Sequence, residues 1–299
     1  MNQALSRRSA FCLFAIVIFA WGLNWTVVKL TLEYMTPLWL AAFRSSLAAV
    51  VLFFVMLATN KLRIPERGDM PVVCSIALLH MTAFTALMVL GIQFVPAGRS
   101  IVLGYTTPIW VIPAAVLLLH ERLTTPRIAG MAMGFAGLVV MFNPLAFDWN
   151  DQRALLGNGL ILLSALCWAI SIVHTRAHKW ISTPFELVFW EVLLASAALT
   201  LLACFFEGIP QVRWSVRLAL LLAYGSVVSV ALAYWAMAMV NRSLPAMTTS
   251  LGVLATPVVG LLCSMVVLGE DFSLALLVGL ALIIGGIVLG IAWRGRGEA

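Results

Sequence analysis

The stretch TPIWVIPAAVLLLHE, Thr107 to Glu121, returns as TPVVGLLCSMVVLGE, Thr256 to Glu270. Threonine-proline opens each copy and a glutamate closes it, 149 residues apart. The match extends outward from there. At the same offset Pro96-Ala97 falls on Pro245-Ala246, Gly130 on Gly279 and Gly137 on Gly286. Nearer the start the offset is 147, where Trp21 falls on Trp168 and Thr36-Pro37 on Thr183-Pro184. Ordered coincidences at two nearly equal offsets describe an internal repeat. Residues 1–148 form the first unit and 149–299 the second.

Both units are strongly apolar. Of 299 residues, 63% are hydrophobic and 10% are charged. An ordinary soluble domain has about 45–50% and about 25%. No water-facing exterior of this size hides so much apolar surface, which excludes a soluble enzyme, a nucleic-acid binder and a disordered chain. A bilayer core needs about 20 apolar residues per helix. That ruler finds ten spans, at 11–30, 37–58, 71–93, 97–119, 127–146, 155–175, 185–206, 216–239, 246–268 and 274–293. The expected fold class is all-α, a polytopic membrane protein of ten transmembrane helices in two five-helix repeats. Five is odd, so the second repeat enters from the opposite side of the membrane. Inverted repeats of this kind characterise secondary transporters, with the substrate near midplane between the halves.

The net charge of +6 is read as topology. With the N-terminus inside, twelve Lys and Arg fall on the cytoplasmic side and five on the outer side, with Arg44 inside the second span. The positive-inside rule then puts both termini in the cytoplasm. Ser6-Arg7-Arg8 resembles a twin-arginine signal only faintly, because the apolar run that follows is too long and has a counterpart later in the chain. The five cysteines lie in apolar runs without metal-ligand spacing and read as buried free thiols. No metal, cofactor or catalytic constellation is expected. A Gly-x-Ser-x-Gly elbow and a His-Glu-x-x-His helix are both missing.

Polar and aromatic residues inside spans mark the candidate site. Trp21, Asn24 and Trp25 share one face of the first span. His80 and Phe84 are one turn apart in the third. Tyr105 and Trp110 lie in the fourth, Trp168 and Ser171 in the sixth, and Trp235 in the eighth. The tryptophans suit flat cavity walls with N–H donors, favouring aromatic or cationic solutes. Asn24, His80 and Ser171 would bond the solute's polar end. His80 is the ionisable group nearest midplane and the candidate proton-coupling residue. Arg44 and its counterpart Glu191 read as snorkelling or anchoring groups. Pro108 and Pro257 occupy equivalent mid-span positions and read as kinks that serve gating. Glycines at 130, 134 and 137, and at 279, 286 and 290, form two small-residue packing faces, within one chain or across a dimer.

The carrying residues resemble the EamA-type drug/metabolite transporter superfamily. They are Thr107-Pro108 through Glu121, Gly130 and Gly134, then Thr256-Pro257 through Glu270, Gly279 and Gly285-Gly286. His120 stands where that family more often has glycine. The resemblance implies a central cavity lined by spans 1, 3, 4, 6, 8 and 9, with spans 5 and 10 peripheral. Within the superfamily the deep tryptophans look most like the amino-acid exporters, aromatic ones included. The expected function is export of amino acids or related small metabolites by alternating access, as a monomer or weak dimer. Uniport and proton antiport both stay open, as does export of cationic drugs.

Overall fold

The computed structural model describes residues 6–119, 125–142, 150–244, 252–269 and 273–292. Among these residues the secondary structure is helical throughout. Glu121, Glu270, Pro245-Ala246 and the boundary between the repeats lie outside the described residues.

The helices follow the expected spans. They are α1 (Arg7–Thr31), α2 (Pro37–Ala58), α3 (Met70–Gly91), α5 (Thr125–Phe142), α6 (Gln152–Ala177), α7 (Pro184–Phe206) and α10 (Leu274–Ala292). Four spans are not single helices of uniform pitch, and α3 is one of them, with a π segment at Ile76–Phe84. α4 comprises Ala97–Gly104 and Thr107–Leu119. α8 comprises Val216–Ala223, a π segment Tyr224–Leu232, and Ala233–Ser243. α9 has a 3₁₀ turn at Val253–Ala255 before Thr256–Leu268. Six helices among the described residues are long and apolar enough to cross a membrane, and shorter apolar helices occupy other spans. Large apolar side chains such as Phe54, Leu201 and Phe205 face outward, as lipid-exposed surface should.

The small-residue faces of α5 and α10 meet each other within one chain. A Cβ on Gly137 would stand 2.6 Å from the Gly279 carbonyl, and one on Gly286 would stand 2.5 Å from the Gly130 carbonyl. The cysteine expectation is corrected. All five are free, but Cys12 and Cys204 are exposed on the apolar surface and the other three are only partly buried.

Two carboxylates fasten the repeats to each other, one at each face of the bundle. Asp69, at the head of α3, accepts from the Ile181 and Ser182 amides just before α7 (3.2 and 2.7 Å). It also stands 2.8 Å from His178 Nε2. Glu207, at the tail of α7, accepts from the Leu38 and Trp39 amides at the start of α2 (2.9 and 3.1 Å) and from Thr36 Oγ1. Glu207 satisfies first-turn amides of α2 that have no intrahelical partner, and Asp69 holds the loop amides that lead into α7. Indole N–H groups reinforce both ties, Trp190 to the Arg63 carbonyl and Trp39 to the Gly208 carbonyl.

Candidate functional site

Six of the ten expected site residues meet in one aromatic cluster. Trp168 of α6 is its hub. Its ring stacks on His80 at 5.0 Å and 11°, and it touches Trp21, Phe84 and Tyr105 at 5.3–6.5 Å. Trp25 reaches the cluster through Tyr105. The rings come from α1, α3, α4 and α6, so both repeats contribute.

Local backbone irregularity positions them. In α3 residues Ile76–Phe84 form a π segment with His80 at its centre. The Thr82 hydroxyl donates to the Ala77 carbonyl five residues back, at 2.8 Å. The π segment of α8 lies at the equivalent place in the second repeat. There the Ser229 carbonyl accepts from Trp21 Nε1 at 3.2 Å. α4 breaks at Tyr105-Thr106, and the hydroxyls of Thr106 and Thr107 satisfy the Leu103 and Gly104 carbonyls at the break. Gly104 is required there, because a Cβ would come within 2.5 Å of the Trp25 indole. Irregular backbone at membrane depth is tolerated where it is buried in protein or lines a cavity.

The proline reading changes accordingly. Pro108 does not kink a continuous helix, and Pro257 stands where α9 changes from 3₁₀ to α pitch. Each stands second in a new helical segment, directly after a break in α4 or a 3₁₀ turn in α9. Proline fits the first turn of a helix, where its missing N–H leaves no bond unmade.

The remaining expected residues fall at varying distance from the cluster. Asn24 is buried and its Oδ1 has no hydrogen-bond partner. Ser171 is buried one turn beyond Trp168. Trp235 packs against the main apolar core. Trp110 does not join the cluster. It is 40% exposed and lines a groove of about 350 Å³ between α4 and α6, with Ala169, Val173 and His174. A second pocket, of about 460 Å³, opens at the C-terminal end of α1 between Lys29, Glu33, Gln93 and Leu268.

Tyr234 is legible in the sequence as a polar group of the eighth span, but Trp235 is the residue expected in the site. The Tyr234 ring touches Trp21 and His80, and its hydroxyl stands 3.5 Å from His80 Nε2. The snorkelling expectation for Arg44 and Glu191 also fails. Each is only 7% exposed within the bundle.

The family model described as EamA-like transporter family matches the chain twice, over residues 8–143 and 155–291. An uncharacterized transporter of Bacillus subtilis strain 168, YvbV, is 27% identical, covering 97% of this chain and 93% of its own. A Salmonella typhimurium strain LT2 protein named "Probable amino-acid metabolite efflux pump" is 28% identical, covering 96% of each chain. A solved crystal structure matches with a TM-score of 0.74 at 23% identity, over 98% of this chain and all of that one. Its likeness concerns the fold.

Proposed function

We propose that this chain, which belongs to the EamA-like transporter family, exports amino acids or related small metabolites, aromatic amino acids among them. It is a multi-pass membrane transporter, and the finer reading is alternating access in the bacterial inner membrane with both termini cytoplasmic. The excess of Lys and Arg in one set of loops supports that orientation. The repeats, 1–148 and 149–299, rock against each other about a midplane site. The chain does transport and no chemistry on its solute.

The observation that carries the reading is the ring cluster at which α1, α3 and α4 of one repeat meet α6 of the other. Trp21, Trp25, Phe84, Tyr105 and Trp168 supply flat walls for a planar side chain. Asn24, His80 and Ser171 supply polar contacts. The break beside Pro108 and the 3₁₀ turn beside Pro257 are where α4 and α9 flex. The name of the Salmonella relative supports amino-acid efflux. A cationic solute is the second reading, favoured by the indole and phenol faces.

The test is counterflow into proteoliposomes with a labelled panel of amino acids and organic cations, with and without a pH gradient. Aromatic amino acids should exchange, and His80→Ala should abolish the exchange while leaving expression intact. Exchange of cations alone selects the second reading. Acceleration by the gradient selects proton antiport over uniport. Unchanged exchange in His80→Ala removes the cluster as the site.

A further inference from the structure

Two ionisable side chains beside the ring cluster have no role in the account above. Arg44 is the eighth residue of α2 and Glu191 the eighth of α7. The two helices hold equivalent places in the repeats and pack against each other. Arg44 Nε and Nη1 are buried without a hydrogen-bond partner. Gly225, in the π segment of α8, makes room for the side chain, since a Cβ there would stand 3.0 Å from Arg44 Cδ. α2 packs on the π segment of α8, whose continuation carries Tyr234, and α7 packs on that continuation and on the π segment of α3 that carries His80. The Tyr234 ring in turn touches Trp21 and His80. A buried charge without a partner costs several kcal/mol. Such groups inside membrane spans mark substrate pathways. Here an arginine and a glutamate at equivalent places in the repeats sit on the two helices that pack against the π segments beside the aromatic cluster.

We propose that Arg44 and Glu191 clamp the head group of a zwitterionic amino acid. Arg44 takes the carboxylate through paired guanidinium N–H bonds, a geometry that lysine cannot reproduce. Glu191 takes the ammonium. The flat side chain lies among Trp21, His80 and Trp168. The clamp rests on the transport reading and narrows it to solutes that carry both charges.

The experiment compares counterflow of labelled tryptophan, of tryptamine, which lacks the carboxylate, and of indole-3-propionate, which lacks the ammonium. Wild type should prefer tryptophan over either analogue by about tenfold or more, the worth of a charged hydrogen bond. Arg44→Met should bring tryptophan and tryptamine to within about twofold, because the bonds that distinguish them are gone. Glu191→Gln should do the same for indole-3-propionate. Arg44→Lys keeps the charge and answers if Arg44→Met does not fold. It should raise the half-saturating tryptophan concentration about fivefold with a nearly unchanged maximal rate. The clamp is overturned if wild type carries all three solutes equally, or if the ratios survive the substitutions. A parallel fall of all three solutes in Arg44→Met, with Arg44→Lys like wild type, makes Arg44 structural and also overturns it. If wild type carries none of the three, the aromatic amino-acid reading fails and the clamp with it.

Discussion

Removing the Trp168 indole would take a partner from four rings at once, those of Trp21, His80, Phe84 and Tyr105. Truncation to alanine in a packed interior costs about 3–5 kcal/mol, so loss of transport in that variant would mix folding with binding. Trp168→Phe separates them. A phenyl ring still fills the space between Phe84 and Tyr105 but gives up most of the stack on His80. The variant should keep its thermal midpoint within about 4 °C of wild type. Its counterflow of aromatic amino acids should fall about tenfold, the worth of one or two aromatic contacts. A folded Trp168→Phe with an unchanged rate places the solute elsewhere. Trp168 itself was legible in the sequence, because it aligns with Trp21 and shares a stripe with Ser164 and Ser171. Tyr234 was legible only as a polar group of its span. Its neighbour Trp235 was preferred as a deep tryptophan, but the rings of Trp21 and His80 meet Tyr234.

At the scale of elements, long apolar runs gave the spans nearly to the residue, as with α2 at 37–58 and α7 at 184–206. What they concealed was the irregularity that builds the site. Ile76–Phe84 contains neither glycine nor proline, so nothing in its composition marks a wide turn. Only its place in the repeat, matching Tyr224–Leu232, could have raised the question. The glycines of α5 and α10 were legible as close packing but not as to partner. The structure pairs them within the chain, and this gives a sharp contrast between two substitutions. Gly286→Ala would place a methyl group 2.5 Å from the Gly130 carbonyl and 3.1 Å from the Gly134 amide, both backbone atoms that cannot swing aside. It should destabilise the protein by about 1–3 kcal/mol, the usual cost of overpacking. Gly134→Ala meets nothing within 4 Å. It should be neutral or stabilising by up to about 1 kcal/mol, since alanine is the better helix former. Thermal unfolding of the purified variants checks both, and equal midpoints would dissolve the α5–α10 contact.

Across the whole molecule, the inverted repeat predicts that a device at one face recurs at the other, and the two carboxylate ties follow that rule. Asp69, in the connection from α2 to α3, holds the segment entering α7. Glu207, in the connection from α7 to α8, holds the segment entering α2. Neither was anticipated, because a loop carboxylate in sequence does not reveal which distant amides it will meet. Asp69 lies on the face expected to be cytoplasmic. Burial alone would raise its carboxyl, but hydrogen bonds from His178, Ser182 and Ile181 outweigh that and hold it at about 2, below the usual 3.8. A lowered folded-state pKa means that the ionised tie stabilises fully above the ordinary carboxylate range. The stabilisation is lost as pH falls through about 2. Asp69→Asn replaces an anionic acceptor of several bonds and should cost about 1–3 kcal/mol at pH 7. The difference in thermal midpoint between wild type and variant should therefore be constant from about pH 7 to about pH 5 and should narrow only below about pH 4. A difference that has already vanished at pH 5 would mean that the bonds from Ser182 and Ile181 do not hold the carboxylate in its charged form.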